Sequence, residues 1–151
     1  MDQYDVETPF GALYLSAEAD AIVAVGWGRT GRTDETPLLT EAVRQLDAYC
    51  QGALTEFDLP LHVQAGDLQR AVCDAMRAIP FGDTRTYGEI AEDLGVSAQT
   101  IGQACGRNPI PILIPCHRVM GAKGLTGFSG AGGVETKLAL LKHEGAGGFL
   151  I

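Results

Sequence analysis

The chain has 151 residues, 46% of them hydrophobic, with a formal net charge of −8, four cysteines and three histidines. That length can bury an ordinary core as one compact domain or two small lobes, while no apolar run is long enough to span a bilayer, the cysteines lie too far apart for a CxxC motif, and no histidine clusters with two cysteines. The acidic charge opposes a phosphate-binding role only in the first part, because residues 1–64 hold 11 acidic and three basic side chains whereas residues 65–151 hold eight of each.

The opening "MDQYDVETPFG" places acidic groups where a signal peptide carries positive charge and an apolar run, so a cytoplasmic protein is expected. In that reducing setting the four cysteines read as thiols rather than as a disulfide framework. "ALYLS" after "TPFG", then "AIVAVGW" after "EAD", predict a β-meander. Thr36 and Pro37 next supply an N-cap and a first-turn proline, and Leu39, Val43, Leu46 and Cys50 recur at helical spacing until Gly52, which puts Cys50 on a buried face. Residues 53–66 read as a strand plus a linker, with the boundary between an acidic and a neutral lobe inside them.

The second lobe begins with Asp67 as a candidate cap and the stripe Leu68, Val72, Ala75 or Met76, and Ile79, closed by Pro80. Thr86 and Glu89 have the spacing of a capping box, Gly95 stops that helix, and Ser97 caps a second one reaching about Cys105. Two short helices on a glycine turn make a helix-turn-helix candidate, although many helical proteins carry such a pair without meeting DNA.

In "NPIPILIPCHRVMG", Pro109, Pro111 and Pro115 forbid a regular helix and predict an extended path that ends on Cys116 and His117. An imidazole and the Arg118 cation beside a thiol can favour thiolate, the nucleophilic form. Adjacent side chains of an extended segment point to opposite sides, so a bend or a bridging water is required for His117 to act on the sulfur.

The string "NPIPILIPCHRV" closely resembles the active-site signature of the O6-alkylguanine-DNA alkyltransferases. "LQRAVCDAMRAIPFGDTRTYGEIAEDLG" before it and "GFSGAGGVETKLALLKHEG" after it extend the resemblance over about residues 67–145. The resemblance implies a mixed α/β (α+β) fold, with a small ribonuclease-H-like lobe at residues 1–64 packed on a mostly helical winged-helix domain at 65–151 that binds DNA and carries the alkyl-transfer site. It implies a monomer that takes O6-alkylguanine, and O4-alkylthymine, flipped out of double-stranded DNA through the minor groove, and moves the alkyl group irreversibly to Cys116 without a cofactor.

By the same resemblance His117 is the base, Glu144 orients it, and Asn108 fixes the turn. Tyr87, Val119, Phe128 and Ser129 are the expected substrate contacts, and Thr86, Ser97, Gln99 and Arg118 the expected DNA contacts. Family members carry an arginine that fills the gap left by the flipped nucleotide; here that position is Gln99, which is uncharged. Residues 1–64 offer only Cys50 and His62 for the zinc site of human-type members, so no metal site is expected. Two other readings stay open from the residues: a lesion sensor without chemistry, against which Cys116 stands, and a thiol alkyl acceptor for a non-DNA substrate, suggested by Gln99 and the low basic charge.

Overall fold

The computed structural model describes residues 1–121 and 133–146, and the chain divides into two compact units, Met1–Gln64 and Ala65–Ile151. The first is an antiparallel meander of β1 (Asp2–Thr8), β2 (Gly11–Glu18) and β3 (Ala21–Trp27), with α1 (Pro37–Cys50) following. Ala19 and Asp20, both at positive φ, make the tight turn whose twist suits a two-residue hairpin. In the register Tyr14 lies opposite Gly26, and a Cβ on Gly26 would stand 2.1 Å from the tyrosine ring, so only glycine lets that ring lie across β3.

Thr36 caps α1 by accepting from Leu39 N at 3.1 Å, and Pro37 fills the first turn where no amide is needed. The buried face comprises Leu39, Ala42, Gln45, Leu46 and Tyr49, which corrects the expectation for Cys50. Tyr49, with far more apolar area to hide, takes the inward place with its ring 5.2 Å from Phe57, and Cys50 is left half-buried. The strand expected within residues 53–66 does not form. One isolated parallel bridge, Ile22 to Leu61, stands in for it, because Pro60 has no amide to extend a ladder. The Gln45 amide fastens this segment instead, accepting from Asp58 N at 2.8 Å and donating to Asp58 O at 2.9 Å.

The second unit holds α2 (Asp67–Arg77), β4 (Arg85–Thr86), α3 (Tyr87–Leu94), α4 (Ala98–Gly106), β5 (Val119–Met120) and α5 (Val134–His143), with β4 and β5 paired in parallel. Asp67 is the first residue of α2 rather than its cap, which is Gly66, and its carboxylate favours the helix by lying in the first turn. Leu68 is exposed, and the buried face runs through Val72, Cys73 and Met76. Gln69 ties α2 to α4 by donating to Ala104 O at 2.8 Å.

Both arms of the Thr86–Glu89 capping box form, Gly95 ends α3 at φ 68°, and Ser97 caps α4 through Thr100 N at 3.1 Å. Caps of this kind contribute about 1 kcal/mol each, so they fix where α3 and α4 begin. Among the described residues no helix is long and apolar enough to cross a membrane, and no group of three or more His, Cys, Asp or Glu side chains could hold a metal ion.

Candidate active site

The proline-rich segment is folded back on itself rather than extended. Leu113 N donates to Pro111 O at 2.9 Å and Cys116 N to Ile114 O at 2.8 Å, so two three-residue turns follow in succession. The second suits Pro115, whose φ of −81° lies near the value its ring imposes. The first forces Ile112 to a φ of 72°, a region that β-branched residues avoid at a cost of about 1–3 kcal/mol. Asn108 holds the fold closed from both ends, donating to Ile114 O at 2.8 Å and accepting from Ile110 N at 3.0 Å.

Cys116, His117 and Arg118 then form one turn of 3₁₀ helix, closed by Arg118 N donating to Pro115 O at 3.0 Å. Successive side chains on such a turn are about 120° apart rather than on opposite faces, which supplies the bend that a strand would lack. Cys116 is buried, and burial pushes its thiol up to about 11 against the pull of a hydrogen bond from Asn108 and the Lys137 charge. A thiol in that state does not ionise unaided near neutrality, so attack requires a base. Cys105 is pushed up to about 12 and Cys50 to about 11, both foremost by burial, and Cys73 is raised for the same reason. They are packing residues.

His117 is fully buried, with Nε2 2.7 Å from Glu144 Oε2, while among the described residues Nδ1 has no hydrogen-bond partner. Burial holds its pKa below the ordinary 6.5, against the raising effect of Glu144. The ring is therefore neutral at physiological pH, with the proton on Nε2 facing the carboxylate and a lone pair on Nδ1. Glu144 follows the last turn of α5 as its C-cap residue and is buried.

Arg118 is the clear correction. Expected at the DNA surface, its side chain is buried, donating through Nε to Glu144 Oε1 at 2.7 Å, through Nη2 to Glu144 Oε2 at 3.0 Å and through Nη1 to Ile79 O at 2.7 Å. A guanidinium engaged three times inside the protein has no donor fork to offer a phosphate.

Lys137 was not anticipated. It is fully buried on α5, donates to Val119 O at 2.6 Å, and stands 5.7 Å from the centre of the Tyr87 ring. Burial pulls its pKa down to about 8, opposed by Cys116 and Cys105, so it is still an ammonium at neutral pH. The signal was present in the sequence, because Lys137, Leu140, Leu141 and Glu144 share one helical stripe, and a charge on an apolar stripe marks a buried ion.

A family model described as the DNA binding domain of 6-O-methylguanine DNA methyltransferase matches residues 67–146, and one described as the ribonuclease-like domain of the same enzyme matches residues 4–63. The chain belongs to the 6-O-methylguanine DNA methyltransferase family. A methylated-DNA–protein-cysteine methyltransferase of Mycolicibacterium paratuberculosis is 42% identical over 149 residues, 92% of this chain and 89% of that protein. One from Methanosarcina acetivorans is 40% identical over 151 residues, 93% and 96% of the two chains. The crystal structure of Mycobacterium tuberculosis OGT in complex with DNA matches at a TM-score of 0.85 and 39% identity over 99% of this chain and 98% of that one. The mixed α/β fold, with a ribonuclease-like first part and a DNA-binding second part, is thus that of the methyltransferase family.

Tyr87 opens α3 and is half-buried beside Lys137. The Val119 carbonyl already accepts from Lys137, and the Cys116 carbonyl accepts from Val119 N, which leaves each a single lone pair for a base edge. Gln99 is exposed on α4, whose outward positions include Gly102 and Gly106, neither with any atom within 4 Å of an added Cβ. Thr86 and Ser97 both spend side-chain oxygens on their caps. Phe128 and Ser129 lie outside the described residues.

Proposed function

We propose that this protein repairs DNA by moving the alkyl group of O6-alkylguanine irreversibly onto Cys116, one lesion per molecule. The observation that carries this reading is His117, fixed by Glu144 through Nε2 while Nδ1 has no hydrogen-bond partner among the described residues, next in sequence to a thiol that cannot ionise alone. The division of labour is that of a nucleophile, a base and an orienting group. Residues 1–64 form the ribonuclease-H-like lobe and 65–151 the winged-helix domain that carries both DNA binding and transfer. The chain acts as a monomer in the cytoplasm, where its thiols stay reduced.

In the step itself, the Sγ–H proton of Cys116 passes through a bridging water to His117 Nδ1. The thiolate attacks the alkyl carbon in line with the C–O6 bond; the S–C bond forms as C–O6 breaks, and the electron pair of the broken bond stays with the base. Guanine takes up one proton by way of the Tyr87 hydroxyl, equal to the one the thiol lost. The thioether has no leaving group that would restore the thiol, so turnover stops, and the balance consumes no cofactor.

The deciding experiment is intact-protein mass after incubation with duplex DNA carrying O6-methylguanine. A gain of about 14 Da, absent in Cys116→Ala, is expected. Tight lesion binding without a mass change would replace this reading with a lesion sensor, and modification only by alkylated small molecules would point to a non-DNA substrate.

Gln99 carries a second expectation. An uncharged amide on α4 stacks less well than a guanidinium in the gap left by a flipped base. Gln99→Arg is therefore expected to raise the transfer rate on duplex DNA roughly tenfold while changing the rate on free O6-benzylguanine little. Equal effects on the two substrates would remove Gln99 from the base-flipping role.

A further inference from the structure

The pair His117 and Arg118 converges on one buried carboxylate. Glu144 Oε2 receives both His117 Nε2 and Arg118 Nη2, Oε1 receives Arg118 Nε, and the third arm of the guanidinium reaches back to the Ile79 carbonyl just beyond α2. Phe81 covers the guanidinium with its ring centre 5.8 Å from the Arg118 Cζ atom. Of these groups only His117 and Glu144 belong to the base machinery, and neither needs a second cation to form its own hydrogen bond.

We propose that Arg118 is a positioning residue for the transfer reaction: its bidentate grip holds Glu144 in one rotamer and keeps it ionised, which fixes His117 as the neutral Nε2–H tautomer with Nδ1 turned to the thiol. This rests on the reading of His117 as base given above. Three physical arguments support it. A carboxylate enclosed at 4% exposure would favour its protonated form without a permanent counter-charge, and arginine alone among the cations cannot shed its proton on burial. Lys137, pulled down to about 8, shows what the same interior does to an ammonium.

Bidentate geometry also fixes the plane of the carboxylate, and with it the direction from which Oε2 can accept, so the imidazole is oriented at second hand. Finally, the sign of the electrostatics is useful. The charged groups acting on His117 are Glu144 and Lys137 from α5 and Arg118 from its own turn, with the uncharged Cys116 thiol next to it in sequence; Glu144 alone would favour imidazolium, and Arg118 with Lys137 offsets it. A ring that is already protonated cannot accept the thiol proton. Arg118 therefore keeps the base available.

The test is nitrogen-15 NMR of the full chain labelled at histidine, without DNA, alongside single-turnover transfer rates as a function of pH. In the natural protein His117 should show an unprotonated Nδ1 and a midpoint below 6.5. In Arg118→Met the guanidinium no longer opposes protonation of the His117–Glu144 pair, so the pair's midpoint should rise and the acid limb of transfer should rise with it. Arg118→Lys keeps a charge without the fork and covers the case in which the methionine variant fails to fold. It should retain lesion binding, lose the single tautomer, and slow transfer roughly 10- to 100-fold.

A folded Arg118→Lys protein with unchanged tautomer, midpoint and rate overturns the proposal. If the natural protein transfers no alkyl group yet the His117 signals respond to Arg118 as stated, the functional reading falls while the coupling between the two residues stands.

Discussion

Glu144→Leu is expected to lower folding stability by about 3–5 kcal/mol and to abolish alkyl transfer. The carboxylate is the shared acceptor for His117 and Arg118, so its removal leaves a permanent cation in the interior with, among the described residues, the Ile79 carbonyl and the Phe81 face as partners. Total stabilities of small domains are about 5–15 kcal/mol, which makes this loss a large share of the whole, visible as a lower urea midpoint. Glu144→Gln keeps the volume and one acceptor but not the charge, and should slow transfer by at least about 100-fold through loss of His117 orientation.

The double replacement Glu144→Leu with Arg118→Leu separates the two effects. Removing both ions avoids an unpaired buried charge and should recover most of the stability while transfer stays absent. A Glu144→Leu protein as stable as its parent would mean that the ion cluster is compensated by solvent and does not hold α5 to the 3₁₀ turn.

Much of this architecture was legible where the physics is local. Thr36 with Pro37, Thr86 with Glu89, and Gly95 mark helix ends through contacts three or four residues long, and all of them form as the spacing requires. The proposed nucleophile stood out for the same reason, since three prolines deny Cys116 a place on any amphipathic stripe. Failures began where a tertiary partner decides. Periodicity put Cys50 inward, yet Tyr49 has the larger apolar surface and a ring partner in Phe57. An apolar, proline-broken run looked extended, and the turns at Ile112 and Pro115 came from hydrogen bonds that Asn108 closes across the loop.

Arg118 shows the limit most clearly. An arginine next to the proposed catalytic pair in a DNA-binding protein invites a phosphate contact, and nothing within its neighbourhood in sequence says otherwise. Its partners lie 26 residues ahead at Glu144 and 39 residues behind at Ile79. Lys137 was more accessible to reasoning, because a lysine in register with Leu140 and Leu141 must be buried if they are.

Lys137→Met is expected to slow transfer about 100- to 1,000-fold while leaving the protein as stable as before or more so. The ammonium is the cation placed to offset a thiolate at Cys116, and it also steadies the Val119 carbonyl and faces the Tyr87 ring. A fixed charge of this kind acts on charge that develops during reaction. Its pH signature follows from a pKa of about 8: the cation is lost as pH rises through that value, so transfer by the natural protein should decline above it even though alkali favours thiolate. Lys137→Met, having no cation to lose, should show no such decline.

Stability runs the other way. Because the folded value is depressed from 10.5 to about 8, the unfolded chain holds the proton more tightly between those limits, and stability of the natural protein rises with pH across that window. The advantage of methionine is therefore largest below pH 8 and shrinks toward 10.5, as paired urea titrations would record. A methionine variant that transfers alkyl groups at the natural rate would assign the buried lysine to packing alone. The opposite result, a more stable protein that no longer reacts, would mean that the chain keeps a destabilising charge in its interior for the chemistry at Cys116.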